Sequence, residues 1–249
     1  MDTVSLGRVR ARRSIAMPSV VAYVGAAGFA VAGLWGYLIA NGVTVRPEPV
    51  PVAGEPLQRQ LARDFAWFVS MLEQERFSTT IAIAAFLCLA VVASFLGRRF
   101  VARPIASVGT AAVVIGAVLW VGGAVIQLGS HRAVGLMATH NNPIGAVNAI
   151  AFTIDTIQEA VALAAFSLIG IGLVTVAGSA LRARSEPLGW IACSAVAALL
   201  TLALAVSYVV DAGSLRDLLV LAAGVAGAPT WLVWTGTLLR SGEGSPRVS

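Results

Sequence analysis

Six stretches of this chain run for roughly 20 residues almost without charge, the length a helix needs to cross hydrocarbon, and no other feature constrains the fold as tightly. A backbone in hydrocarbon has no water to satisfy its N–H and C=O groups. A segment of that length must therefore close its hydrogen bonds within itself, as a helix. The runs fall at about 18–40, 79–97, 106–129, 156–180, 188–210 and 218–239. The predicted fold is all-α, a polytopic transmembrane bundle of six helices. Composition points the same way: 58% of residues are hydrophobic, 12% are charged and the mean hydropathy is +0.85, against about 45–50% apolar and about 25% charged for a soluble domain. At 249 residues the spans use most of the chain, leaving no room for a separate catalytic domain.

The first run follows the basic segment Arg8, Arg10, Arg12 and Arg13, the layout of a secretory leader. It exceeds the roughly 7–15 residues of a leader's apolar core and no A-x-A site follows, so a retained first helix is predicted. Within it Gly25, Gly28, Gly33 and Gly36 would let a neighbouring helix come close. The predicted outer loop, 41–78, opens with Pro47, Pro49, Pro51 and Pro56. After these, Leu57, Leu61, Phe65, Phe68 and Leu72 recur at spacings of three and four, while Arg59, Arg63, Glu73 and Arg76 fall largely elsewhere on the wheel. That pattern predicts a short amphipathic helix with Pro56 in its first turn, either lying on the outer membrane surface with Trp67 as an interfacial anchor or covering the mouth of the bundle. A polar tail, 241–249, is expected to be disordered and cytoplasmic.

All 17 basic residues are arginines, and the net charge of +5 reflects their number. They gather at the ends of apolar runs, as topology signals do, which argues against nucleic acid as a partner. With both termini in the cytoplasm, eleven arginines lie inside (Arg8, Arg10, Arg12, Arg13, Arg98, Arg99, Arg103, Arg182, Arg184, Arg240, Arg247) and six outside (Arg46, Arg59, Arg63, Arg76, Arg132, Arg216). Four of those six sit in the long first loop, where charge counts for less, so this orientation is preferred. Cys88 and Cys193 both fall inside spans, which supports neither a disulfide framework nor a zinc site.

The segment most suggestive of chemistry is Thr153-Ile154-Asp155-Thr156-Ile157-Gln158-Glu159, at the outer start of the fourth span. Asp155 and Glu159 are four apart, so on a helix both carboxylates share a face and their repulsion must be offset by a cation, a proton or solvent. Acids at membrane depth are functional candidates by default; at the interface a solvated helix end near its positive dipole accounts for them as well. The candidate outer polar cluster comprises Gln127, His131, Arg132, His140, Asn141, Asp155, Gln158, Glu159 and Asp211, with Arg132 as a possible ion-pair partner of Asp155 or Glu159. Asn142-Pro143 reads as a turn and helix start. The two histidines are nine residues apart, without ligand spacing. A structural polar cap is therefore favoured over a proton or solute relay, and a relay over a metal site. Both histidines sit at one face, which disfavours haem ligation across the membrane. No Walker A sequence, HExxH or GxSxG occurs, and neither cofactor nor metal is expected. In the last span Pro229 should kink the helix, with Gly224 and Gly227 easing close packing, and Trp231 and Trp234 should pack.

The lead-in Pro187-Leu188-Gly189-Trp190 and the closing Trp231-Leu232-Val233-Trp234-Thr235-Gly236-Thr237-Leu238-Leu239-Arg240 resemble uncharacterised six-span integral membrane proteins of actinobacteria, a family of unknown function. The likeness covers roughly the last 100 residues, and elsewhere extends only to the number of spans. It implies a six-helix bundle in a bacterial plasma membrane and brings no catalytic residues. The functional expectation is a non-enzymatic accessory or interaction protein, whose partners are the bilayer and another membrane or outer-face protein. Two alternatives stand beside it: a small-solute or proton-coupled transporter using Asp155 and Glu159, and a membrane-embedded enzyme built on His140, Asp155 and Glu159.

Overall fold

The structure, a computed structural model, describes residues 3–43, 52, 54–139, 143–210 and 213–241. It is helical, with no strand among the described residues. The helices are α1 (Thr3–Ala40), α2 (Leu57–Arg99), α3 (Pro104–Thr139), α4 (Ile144–Ala183), α5 (Leu188–Val209), α6 (Gly213–Leu221) and α7 (Ala228–Ser241), with a π-helical turn, Ala222–Gly227, joining the last two. Among the described residues six segments are long and apolar enough to cross a membrane: Met17–Ala40, Gln74–Arg99, Pro104–Val134, Gly145–Ala183, Leu188–Val209 and Leu215–Arg240.

Proline sets where several helices begin. Pro56, Pro143 and Pro187 precede α2, α4 and α5 with φ of −57°, −57° and −59°, and Pro104 is the first residue of α3. At a helix start the missing N–H costs nothing and the ring presets the backbone. The same rule explains a difference from the sequence expectation. The amphipathic segment after Pro56 is not a separate short helix in a loop; it is the first part of α2, which runs unbroken for 43 residues. Between Leu57 and Leu96 there is neither proline nor glycine, so nothing stops the helix once Pro56 has started it. Likewise α3 continues to Thr139, ten residues past the expected end of the third run near 129, so His131 and Arg132 are helical.

Each helix packs on the next, and the last span returns to α1, closing a ring. Ring order places two kinds of residue at opposite ends. One end carries Arg99, Arg103, Glu186 and the end of α7: Arg99 pairs with Glu186 at 3.1 Å and donates to the Leu238 carbonyl at 3.3 Å. The other end carries Glu75, His131, Asp155 and Arg216. These are the arginine-rich and polar ends below.

In an apolar solvent, close packing replaces the hydrophobic effect as the force between helices. The tightest approach is between α3 and α4: a Cβ added at Gly172 would meet the Gly109 carbonyl oxygen at 2.5 Å, and one at Gly116 would meet the Ala165 oxygen at 2.6 Å. Gly33 of α1 faces Gly224 of the π-turn, where an added Cβ would lie 3.0 Å from the partner's Cα. Pro229 lies two residues past this turn. Its ring displaces the carbonyl four residues back, and the widened turn absorbs the displacement where a simple kink was expected. Gly172→Ala is expected to cost about 1–3 kcal/mol through overpacking, despite helix propensity favouring alanine by about 1 kcal/mol. Gly122→Ala, with nothing within 4 Å, should be neutral or stabilising. Thermal midpoints of the two variants in one detergent check the difference.

Candidate functional site

The polar end is organised around one carboxylate, Glu75 of α2. Gln127 and His131 are four apart on α3 and therefore share a face, and each addresses one oxygen of that carboxylate. The Gln127 amide donates to Oε1 at 2.9 Å, and His131 Nδ1 stands 3.4 Å from Oε2. The other imidazole nitrogen, Nε2, lies 3.6 Å from Asp155 Oδ1 on α4. His131 is 5% exposed and thus sits between two carboxylates, the arrangement in which a doubly protonated ring turns an N–H toward each. Gln158 of α4 donates to the Gln127 carbonyl oxygen, extending the chain of contacts from α2 across α3 to α4.

Glu159 makes a different connection. Arg216 of α6 donates to its carboxylate at 2.9 Å, and the guanidinium lies 4.5 Å above the ring of Tyr208 on α5. The repulsion predicted for Asp155 and Glu159 is thus offset by two separate cations, His131 for the first and Arg216 for the second. Their side chains are 55% and 51% exposed, which places both acids at the rim. Arg132 takes neither role proposed for it. It is exposed, because neighbours on a helix point about 100° apart and His131 is turned inward. His140, Asn141, Asn142 and Asp211 lie outside the described residues. Among the described residues no group of three or more His, Cys, Asp or Glu side chains is placed to hold a metal ion. In the Glu75–His131–Asp155 row, the imidazole separates the carboxylates, so the donors do not converge on a common point.

Below this layer the ring holds a partly open cavity of about 380 Å³. It is lined from every span and reaches from Glu75 and Gln127 down to Trp231. Six of its lining residues are aromatic: Phe86 stacks on Trp120 at 4.1 Å and meets Phe29 edge-on at 4.8 Å, Phe166 lies 6.1 Å from Tyr208, and Trp231 forms the floor. A second hollow of about 370 Å³ lies between Asp155, Gln158, Glu159 and Arg216, and Trp120, Gln127 and Tyr208 line both. Toward the arginine-rich end the interior is closed by indoles whose N–H groups are satisfied. Trp190 donates to Thr235 Oγ1 at 3.0 Å and Trp231 to Ser194 Oγ at 3.0 Å, with all four residues no more than 2% exposed.

Sequence reasoning missed Glu75, Tyr208 and the inward role of Arg216. A signal for Glu75 existed: Glu75, Ser78, Thr79, Ala82, Phe86 and Leu89 follow helical spacing, and all line the cavity. The predicted break before the second span concealed it.

His131→Leu should lower the thermal midpoint in detergent, because it strands Glu75 in a part-buried place, a loss of about 1–3 kcal/mol. Adding Glu75→Gln to that variant should restore part of the loss; a further drop instead would mean the pair is not coupled as the geometry indicates. No family model, curated protein or solved structure matches the chain.

Proposed function

We propose that the chain is a multi-pass protein of a bacterial plasma membrane that binds a small, mainly apolar molecule bearing a cationic amine, and exchanges it for protons at its polar end. The arginine-rich end and both termini are then cytoplasmic, since Arg98, Arg99, Arg103, Arg182, Arg184 and Arg240 cluster at that end. The observation that carries the proposal is the cavity: about 380 Å³ inside a bundle, mainly apolar with six aromatic side chains in its wall, and with Glu75 the one acid among the described residues that line it. Sites for small molecules have this build, a volume of about 300–1,000 Å³ that is mostly apolar with few polar groups to fix orientation. Aromatic faces and one carboxylate favour a cation over a neutral or anionic guest.

The contacts supply a path for exchange. An amine beside Glu75 takes the Oε2 position that His131 occupies at 3.4 Å. The imidazolium, deprived of that partner, passes its proton to Asp155, whose half-exposed carboxylate releases it to water. One cation enters as one proton leaves. Asp155 thus serves the relay considered from the sequence, while Glu159 has the lesser part of holding Arg216 against Tyr208. The accessory role expected from the sequence ranks second, because packing alone gives no reason for a carboxylate above an aromatic hollow.

Benzyltrimethylammonium and its neutral isostere neopentylbenzene test the proposal in detergent-purified protein. The cation should bind at least about tenfold more tightly, about 1.4 kcal/mol, and release a proton on binding. Glu75→Gln, which keeps the Gln127 contact available, should abolish the preference. Equal binding of the two probes, or a preference that survives the substitution, would overturn the amine site. Binding of neither probe would leave the accessory role.

A further inference from the structure

The opposite end of the molecule carries a hollow of different chemistry. Between α3 and α4, at the arginine-rich end, is an open hollow of about 640 Å³ bordered by Arg103, Pro104, Ile105, Val174, Gly178 and Arg182. Arg103 is held in place: its guanidinium lies 5.7 Å from the Phe100 ring and donates to the Ser185 hydroxyl. Arg182 is exposed. Neither forms an ion pair among the described residues, and the nearby acid, Glu186, is 4% exposed and bound by Arg99 at 3.1 Å. Two cations therefore border one hollow with no carboxylate to balance them. Gly178 contributes to the depth, since a Cβ there would meet nothing within 4 Å. Ile105 and Val174 border the same hollow; Val108 and Ile171 lie one turn farther along each helix, and all four are exposed.

We infer that this hollow binds the phosphodiester headgroup of an anionic phospholipid, with Arg103 and Arg182 on the phosphate and the acyl chains laid along Ile105, Val108, Ile171 and Val174. Charge selects the headgroup, because two uncompensated guanidinium groups at a membrane face attract an anion and hydrogen-bond its oxygens. The apolar rows select a lipid over free phosphate, since they continue from the hollow along the faces of α3 and α4 that a bilayer would cover. The inference uses the bilayer placement proposed above and is independent of the amine cavity.

Native mass spectrometry of the full chain, released from nanodiscs of equal parts phosphatidylglycerol and phosphatidylcholine, tests it. The wild type should retain phosphatidylglycerol at least tenfold in preference to phosphatidylcholine. Arg182→Gln should reduce that preference several-fold, and so should Gly178→Leu, which fills the hollow without changing charge. These two variants carry the test even if Arg103→Gln, which loses the Ser185 contact, fails to fold. Equal retention of the two lipids would overturn the inference, as would unchanged retention by both variants. Displacement of phosphatidylglycerol by millimolar inorganic phosphate would overturn it in favour of a free-anion site. Benzyltrimethylammonium binding reports on the other cavity, so failure of one site is distinguishable from failure of the other.

Discussion

Six rods of similar width closed into a ring leave space at their axis for a seventh, and the interior of this protein follows from how that space is filled. Toward the arginine-rich end Val92, Ala93 and Leu96 of α2 and Phe100 just after it are at most 2% exposed. Toward the polar end the same helix presents Ala82, Thr79 and Ser78, side chains too short to reach across. The hollow is therefore a consequence of side-chain volume along one face of α2, and ring closure by the last span keeps it from collapsing. Glycine contacts set the circumference: where α3 meets α4 at Gly109, Gly116 and Gly172, the backbones touch and the ring cannot tighten further.

Polarity is graded along the bundle by the same economy. Buried hydroxyls in the spans mostly satisfy themselves against the preceding turn, as Ser194 does on the Trp190 carbonyl at 2.9 Å and Ser207 on that of Leu204 at 2.6 Å. Ionised groups are confined to the ends, where water remains within reach. At the polar end, however, they are joined from helix to helix instead of being left to solvent. Glu75, His131 and Asp155 tie α2, α3 and α4 together, and Glu159, Arg216 and Tyr208 tie α4 to α6 and α5. The mouth of the cavity is consequently the most cross-linked polar layer described.

What could be read in the sequence was what depends on local pattern. Apolar run length announces six spans, and helix starts at Pro143 and Pro187 follow from proline chemistry alone. The shared face of Asp155 and Glu159 is a matter of helical pitch, and the need for compensating cations follows from charge. Which cations compensate was not legible. His131 reaches Asp155 because α3 packs on α4, and Arg216 reaches Glu159 from α6 past α5, which packs on both; no spacing within a helix encodes either relation. Glu75 was hidden for a further reason. Arg59, Arg63 and Arg76 gave its segment the look of a surface helix, and only the unbroken run from Leu57 to Arg99 carries it to the cavity's edge.

The tryptophan pairs at the arginine-rich end make the hollow a blind alley along the bundle axis. Passing that point would separate Trp190 from Thr235 and Trp231 from Ser194, leaving two buried indole N–H groups without their partners. The hollow therefore has no continuation on that side for as long as those two bonds stay closed.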